Sequence, residues 1–86
     1  MQQYPHAKTQ VKLPVLLFLK LVGPPVVLYF ENPEEVYNEL IEVMKSANDK
    51  APKLIEKKAN GPVKNIAFLD TQIASVALQE ETHVSY

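Results

Sequence analysis

Arginine and cysteine are both missing from this chain. All nine basic residues are lysine, so the planar guanidinium fork that suits bidentate contacts to phosphate and to guanine is not available. Without cysteine there are no disulfides, no thiolate nucleophiles and no cysteine-ligated zinc, and the redox environment is left open. The small core must therefore hold by packing or by association.

An excess of charge of either sign is also lacking. The formal net charge is −1 over 86 residues, so the chain as a whole has no electrostatic reason to bind nucleic acid or an anionic membrane. A chain of this length is one small domain with a stability of only a few kcal/mol. We do not expect a large enclosed active site.

No apolar run is long enough to predict a membrane span. Residues 13–30 are rich in apolar side chains, but Lys20 lies inside this run and Gly23, Pro24 and Pro25 interrupt it. A spanning helix needs about 20 consecutive apolar residues. We expect a cytoplasmic chain without membrane insertion.

The order of local patterns predicts a single α+β domain over residues 13–81, with flexible tails at 1–12 and 82–86. The expected order is β-β-α-β-β-β, with one helix packed on an antiparallel sheet. The segments PVLLFLKLV and PVVLYFE predict two strands joined by a tight Gly-Pro turn. Asn32 is a good N-cap, and Glu35 stands where it can reach back to the backbone N–H of the cap. The helix is expected from about Pro33 to Asn48, because Pro52 prevents continuation.

The pair Asn60-Gly61 predicts a two-residue hairpin loop in a type I′ turn. That register places Ile55 opposite Ile66 and Lys57 opposite Lys64.

Residues 71–79 fit a strand or a helix almost equally well by period. A strand is favoured because Glu80 and Glu81 would oppose the dipole at the end of a helix, and because an edge strand would complete the sheet. Asp70 or Thr71 would then close the preceding turn through its side chain.

Three segments carry a resemblance to a known family: VYNELIEVMKS, PKLIE and VKNIAFLDTQIASVALQEE. Over about residues 18–81 the chain resembles small uncharacterised proteins of cyanobacteria and plastids, which run strand, strand, helix and strands, and close on an Ile-Ala-x-Val motif. The resemblance implies a small αβ domain without established catalytic residues.

Residues that could support catalysis or metal binding are poorly placed. His6 and His83 fall in the expected tails, and a metal site needs ligands on fixed elements. Ser46, Ser75 and Ser85 have no histidine on a rigid element near them, and a serine nucleophile needs a positioned base. We expect neither an enzyme nor a cofactor or metal.

Lysines around the Asn60-Gly61 hairpin are one candidate site, for a small anionic ligand or RNA. Nucleic acid is the less favoured ligand because Phe68 is the one aromatic residue close by. A solvated hairpin that discourages edge aggregation is the simpler interpretation. The candidate residues are Lys53, Lys57, Lys58 and Lys64.

The strongest functional indication is that both faces of the first strand are apolar, whereas one helix covers one face of a sheet. The second face would be buried if the strands curl into a half-barrel, or if a protein partner covers it, most simply a second copy. We therefore predict a non-enzymatic interaction module that forms a homodimer. The candidate interface residues are Leu16, Phe18, Val22, Val27 and Tyr29.

Overall fold

The computed structural model describes the backbone of residues 8–85 and the side chains of residues 13–80. The elements in chain order are β1 (Lys8–Lys12), β2 (Val15–Leu19), β3 (Val26–Leu28), α1 (Pro33–Ser46), β4 (Leu54–Lys58), β5 (Asn65–Leu69), a 3-10 turn (Asp70–Gln72), β6 (Ile73–Leu78) and β7 (Glu81–Ser85). From β2 to β6 this is the predicted order β-β-α-β-β-β, which confirms the α+β class. Segment 71–79, which was ambiguous by period, is mostly strand.

The central sheet is antiparallel with the strand order β3-β2-β6. Side chains alternate between its faces, and Val15 and Leu17 of β2 are completely buried on the face that meets the helix. Residues of β4 and β5 pack against the same cluster. The buried core consists of Val15, Leu17, Leu28, Val36, Leu40, Phe68 and Ile73.

A β-bulge adjusts the start of β6. Phe18 pairs with Ser75 and Leu19 pairs with Ile73, so Ala74 is the extra residue on β6. A bulge re-aims neighbouring side chains. Ile73 is therefore buried in the core while Ala74 is exposed.

Helix α1 begins where the sequence predicted and ends at Ser46, two residues earlier than Asn48. The expected contact between Glu35 and the backbone N–H of the cap is replaced by a side-chain contact, in which Asn32 Nδ2 donates to Glu35 Oε2 at 2.9 Å. Beyond the helix, Asn48 Oδ1 accepts a hydrogen bond from the Lys50 N–H at 2.9 Å, which stabilises the following turn. No helix in the described residues is long and apolar enough to cross a membrane.

The predicted register of the β4–β5 hairpin was wrong by two residues. Ile55 pairs with Phe68 rather than Ile66, and Lys57 pairs with Ile66 rather than Lys64. A type I′ turn needs a positive φ at both central residues, and the φ of Asn60 is negative. The Asn60 N–H instead donates to the Tyr29 carbonyl at 2.7 Å, and the hairpin loop is longer than two residues. A shift of two residues preserves which face each side chain occupies.

The predicted tight Gly-Pro turn was also wrong. Pairing between β2 and β3 stops at Leu17–Val26. Phe18 and Leu19 pair only with β6, and residues 20–25 form the connection to β3. The chain reverses before the glycine, where the Val22 N–H contacts the Leu19 carbonyl at 3.4 Å. Pro24 and Pro25 lack the N–H that a ladder needs, which explains why pairing cannot continue to the Gly-Pro pair.

The two chain ends pair with each other. The sequence placed residues 1–12 and 82–86 in tails, whereas β1 and β7 form an antiparallel ribbon from Lys8–Ser85 to Lys12–Glu81. Residues 1–7 and 86 lie outside the described residues. The ribbon continues the β2–β6 register, with the Gln79 N–H donating to the Pro14 carbonyl at 3.1 Å between the two ladders. The molecule is consequently elongated, at 62 × 24 × 18 Å.

Candidate protein-binding surface

The face of the central sheet opposite the core is uncharged. Leu16 lies in its middle, paired with Val27 on one side and with Ala77 on the other. Phe18 and Ser75 form the next pair on the same face. We call the surface formed by Leu16, Phe18, Val27, Ser75 and Ala77 the outer face.

The outer face is only partly covered by the described residues. The helix and the β4–β5 hairpin contribute their apolar side chains to the cluster on the other side of the sheet. Val27 is 38% exposed, and Leu16 and Phe18 keep part of their surface in solvent. The strands therefore do not close into a half-barrel over these three residues.

The connection after β2, at the end of the central sheet, carries exposed apolar side chains. Val22, one of the predicted interface residues, is 55% exposed, and its neighbour Leu21 is fully exposed. Leu21 also has a φ of +62°, in the left-handed region that costs a residue with a branched side chain about 1 to 2 kcal/mol. Sequence reasoning missed Leu21, because an apolar residue inside a predicted strand gives no sign that it lies in a strained turn.

Tyr29 is the predicted interface residue that the structure places elsewhere. Its carbonyl accepts a hydrogen bond from Asn60, and its ring lies over Gly61, where an added Cβ would come within 2.8 Å of the ring. Gly61 has a φ of +85°. Tyr29 therefore holds the hairpin tip against the edge of β3 rather than lying in the middle of the outer face.

The four candidate lysines do not converge. Lys57 lies on the core-facing side of β4, its side chain is 20% exposed, and its ammonium contacts the Glu39 carboxylate of the helix at 2.5 Å. Lys58 is on the opposite side of the strand, and Lys53 and Lys64 are exposed near the two ends of the hairpin. The contact with Glu39 neutralises the most buried of the four charges.

A shallow depression of about 380 Å³ lies on the β4–β5 hairpin. Its lining carries both signs of charge, from Glu56 and Lys58, and the small Ala67 side chain leaves room between them. A carboxylate beside the lysine weakens any attraction for an anion. The full lining is Glu56, Lys57, Lys58, Asn65, Ile66 and Ala67.

Residues with catalytic potential stay apart. Ser46 Oγ donates to the Val43 carbonyl at 3.3 Å at the end of the helix, and Ser75 is exposed on the sheet. His6 lies outside the described residues, and the side chains of His83 and Ser85 are not described. Within the described part of the chain, no three His, Asp or Glu side chains come together as metal ligands.

Asp70 is the buried charged residue of the described part, at 3% exposure. Its Oδ1 accepts a hydrogen bond from the Lys53 N–H at 2.9 Å, and its own N–H donates to the Lys53 carbonyl at 2.9 Å. The side chain therefore links the two strands at the base of the hairpin, instead of closing its own turn as the sequence suggested. This pairing explains a buried carboxylate structurally and leaves no unsatisfied atom.

Comparison of the chain with protein-family models, with curated proteins and with solved structures gave no match. The resemblance to the cyanobacterial and plastid proteins therefore stays a prediction.

Proposed function

We propose that this chain is a non-enzymatic, cytoplasmic protein-interaction module, and that the outer face binds an uncharged, apolar surface of another protein. The observation that supports the proposal is the Val27–Leu16–Ala77 row, which crosses all three strands without a charged side chain. Fully burying a Leu, Val or Phe side chain contributes roughly 1.5 to 3 kcal/mol. Covering this face is therefore a substantial gain for a marginally stable domain.

The connection after β2 supports the same surface. Leu21 is both strained and fully exposed. Contacts within the domain therefore do not offset the free-energy cost of its backbone conformation. Strained residues cluster at binding sites, where a ligand supplies the interaction that the fold does not. We propose that Leu21 and Val22 contact the partner at the rim of the outer face.

A binder of an anionic ligand through the lysine hairpin is the second candidate function. Exposed Lys53, Lys58 and Lys64 favour it, while the contact between Lys57 and Glu39 and the presence of Glu56 in the depression weaken it. Exposed lysines alone are adequately explained by a solvated surface.

A comparative pull-down separates the two functions. Tagged wild type, Phe18→Glu and the double variant Lys57→Glu/Lys64→Glu are incubated with lysate of the source cell, and captured proteins are quantified by mass spectrometry. We expect Phe18→Glu to lose a protein that the double variant retains. Loss by the double variant together with retention by Phe18→Glu would favour the anionic-ligand function and contradict the outer-face proposal.

The homodimer predicted from the sequence is tested with the same variant. If two outer faces cover each other, sedimentation equilibrium of Phe18→Glu gives a folded monomer where the wild type gives a dimer. A wild type that sediments near 9.7 kDa at hundreds of micromolar rules out this dimer.

A further inference from the structure

Strand β6 is paired on one side only within the described residues. Its partner is β2, and no described strand joins its other edge. The Gln79 N–H donates towards Pro14, and in an antiparallel pair the direction of the backbone groups alternates along the strand. Ser75 and Ala77 therefore direct their N–H and C=O groups to β2, whereas Val76 and Leu78 direct theirs away from the sheet.

This edge lacks the usual protection against pairing. Exposed edge strands normally carry a charge, a proline or a strong twist that discourages another strand. Segment Ile73–Leu78 contains neither charge nor proline. The bulge at Ala74 disturbs only the start of the strand, so the groups of Val76 and Leu78 stay regular and available.

We propose that β6 pairs antiparallel with β6 of a second copy, so that Ala77 faces Ala77 across a two-fold axis. In this register Val76 of each copy exchanges both backbone hydrogen bonds with Leu78 of the other. Four bonds result, and neither the bulged Ala74 nor the charged Glu80 takes part. The central Ala77 pair is of the non-hydrogen-bonded type, in which the strands approach most closely, and alanine fits that approach.

The surface of the helix indicates that the strand paired with the open edge of β6 comes from a second copy of the chain rather than from an isolated peptide. Glu39 faces the β4–β5 hairpin through Lys57, and at 3.6 residues per turn Tyr37 and Ile41 lie about 160° around the helix from it. Both are partly exposed apolar residues outside the core cluster. They lie on the flank of the helix that faces away from the β4–β5 hairpin, and the helix packs on β6. In the proposed pair the two helices lie on the same side of the joined sheet, and Tyr37 and Ile41 supply the apolar surface through which they would meet.

The pairing goes beyond the proposed function because its contacts are the backbone groups at the edge of β6, although the Ala77 side chain at its centre belongs to the outer face. It joins the two central sheets into six strands in the order β3-β2-β6-β6-β2-β3. The Val27–Leu16–Ala77 row then continues into the same row of the second copy. The dimer therefore presents one uncharged surface of double width on the side opposite the helices.

A charge-pairing experiment on the full chain tests this register. Sedimentation equilibrium is measured for the wild type, Ala77→Lys, Ala77→Glu and an equimolar mixture of the two variants, with folding checked by circular dichroism. Facing like charges should weaken dimerisation of each variant more than about tenfold, and the mixture should restore it. Ala67→Lys and Ala67→Glu, at an exposed alanine on β5, are the matched controls and should dimerise as the wild type does.

Amide hydrogen exchange on the wild type tests the same pairing without a substitution. Raising the protein concentration should slow exchange at Val76 and Leu78 and leave Ser75 and Ala77, already bonded to β2, unchanged. A wild type that is monomeric at hundreds of micromolar overturns the proposal. So does an Ala77→Lys variant with unaltered dimerisation. A dimer that forms without slower exchange at Val76 and Leu78 also overturns it and would place the contact on the outer face, to which the Ala77 side chain belongs as well.

Discussion

At the residue scale, two glycines with different surroundings illustrate how local geometry limits the sequence. Gly61 has a φ of +85° and lies under the Tyr29 ring, so it needs both the conformational freedom of glycine and the absence of a Cβ. Gly23 has nothing within 4 Å of an added Cβ and no positive φ. One glycine is required by the fold and the other is not.

Replacing Gly61 with alanine should lower the free energy of unfolding by about 1 to 3 kcal/mol, because the new Cβ meets the Tyr29 ring and the backbone is held in a strained region. Gly23→Ala is the matched control. It should be neutral or stabilise by about 0.4 to 1 kcal/mol, because it restricts only the unfolded chain. Urea unfolding monitored by circular dichroism measures both. Equal effects for the two variants would contradict the geometry at Gly61.

Residue-level chemistry could be predicted from the sequence only in part. The positive φ of Gly61 was predicted from the Asn-Gly pair. The negative φ of Asn60 was not, because it depends on a hydrogen bond to Tyr29, which lies 31 residues earlier in the sequence. Leu21 was missed for the same kind of reason. Its exposure follows from where β2 stops pairing with β3, which no local propensity specifies.

At the scale of elements, the helix and the strand faces were predictable because each follows from a simple period. The apolar stripe and the Asn-Pro start located α1, and alternation placed Leu16, Phe18 and Val27 on one face. Register was not predictable. The β4–β5 hairpin is shifted by two residues, because Asn60 in its loop pairs with Tyr29, the residue after β3. This tertiary contact, rather than the turn residues themselves, determines the register.

The base of the same hairpin gives a stability prediction. Asp70→Ala removes the acceptor for the part-buried Lys53 N–H and should cost about 1 to 3 kcal/mol, the usual penalty for leaving such a group without a partner. Asp70→Asn keeps a side-chain oxygen at the same position and should lose less. Chemical denaturation of both variants checks this order, and an alanine variant as stable as the asparagine variant would show that the link contributes nothing.

At the scale of the whole molecule, the shape departs from that of a compact domain. The Cα radius of gyration is 16.2 Å, whereas a compact chain of this length has about 12 Å. The ribbon of β1 and β7 accounts for the difference, since it extends the β2–β6 pair beyond the core. Neither end shows a hydrophobic period, and their pairing arises because β1 and β7 continue the register of β2 and β6.

Truncation to residues 13–80 should leave a folded domain. All residues of the described core cluster lie between Val15 and Leu78, and an isolated two-stranded ribbon adds little stability. We expect Tm to change by less than about 8 °C, the equivalent of roughly 1 kcal/mol. Thermal circular dichroism measures the change, and small-angle scattering should show a smaller radius of gyration. An unfolded truncated chain would mean that the ribbon is needed for the core.

Site-specific photo-crosslinking tests most directly whether the outer face binds a protein. A photoreactive benzoylphenylalanine replaces either Val27, which is 38% exposed on the outer face, or Leu54, which is 61% exposed on the hairpin. After irradiation in the source cell, adducts are identified by mass spectrometry. The account predicts that position 27 forms a discrete adduct with a protein, and that Phe18→Glu abolishes it, while position 54 forms none. An adduct at position 54 without one at position 27 would contradict the account.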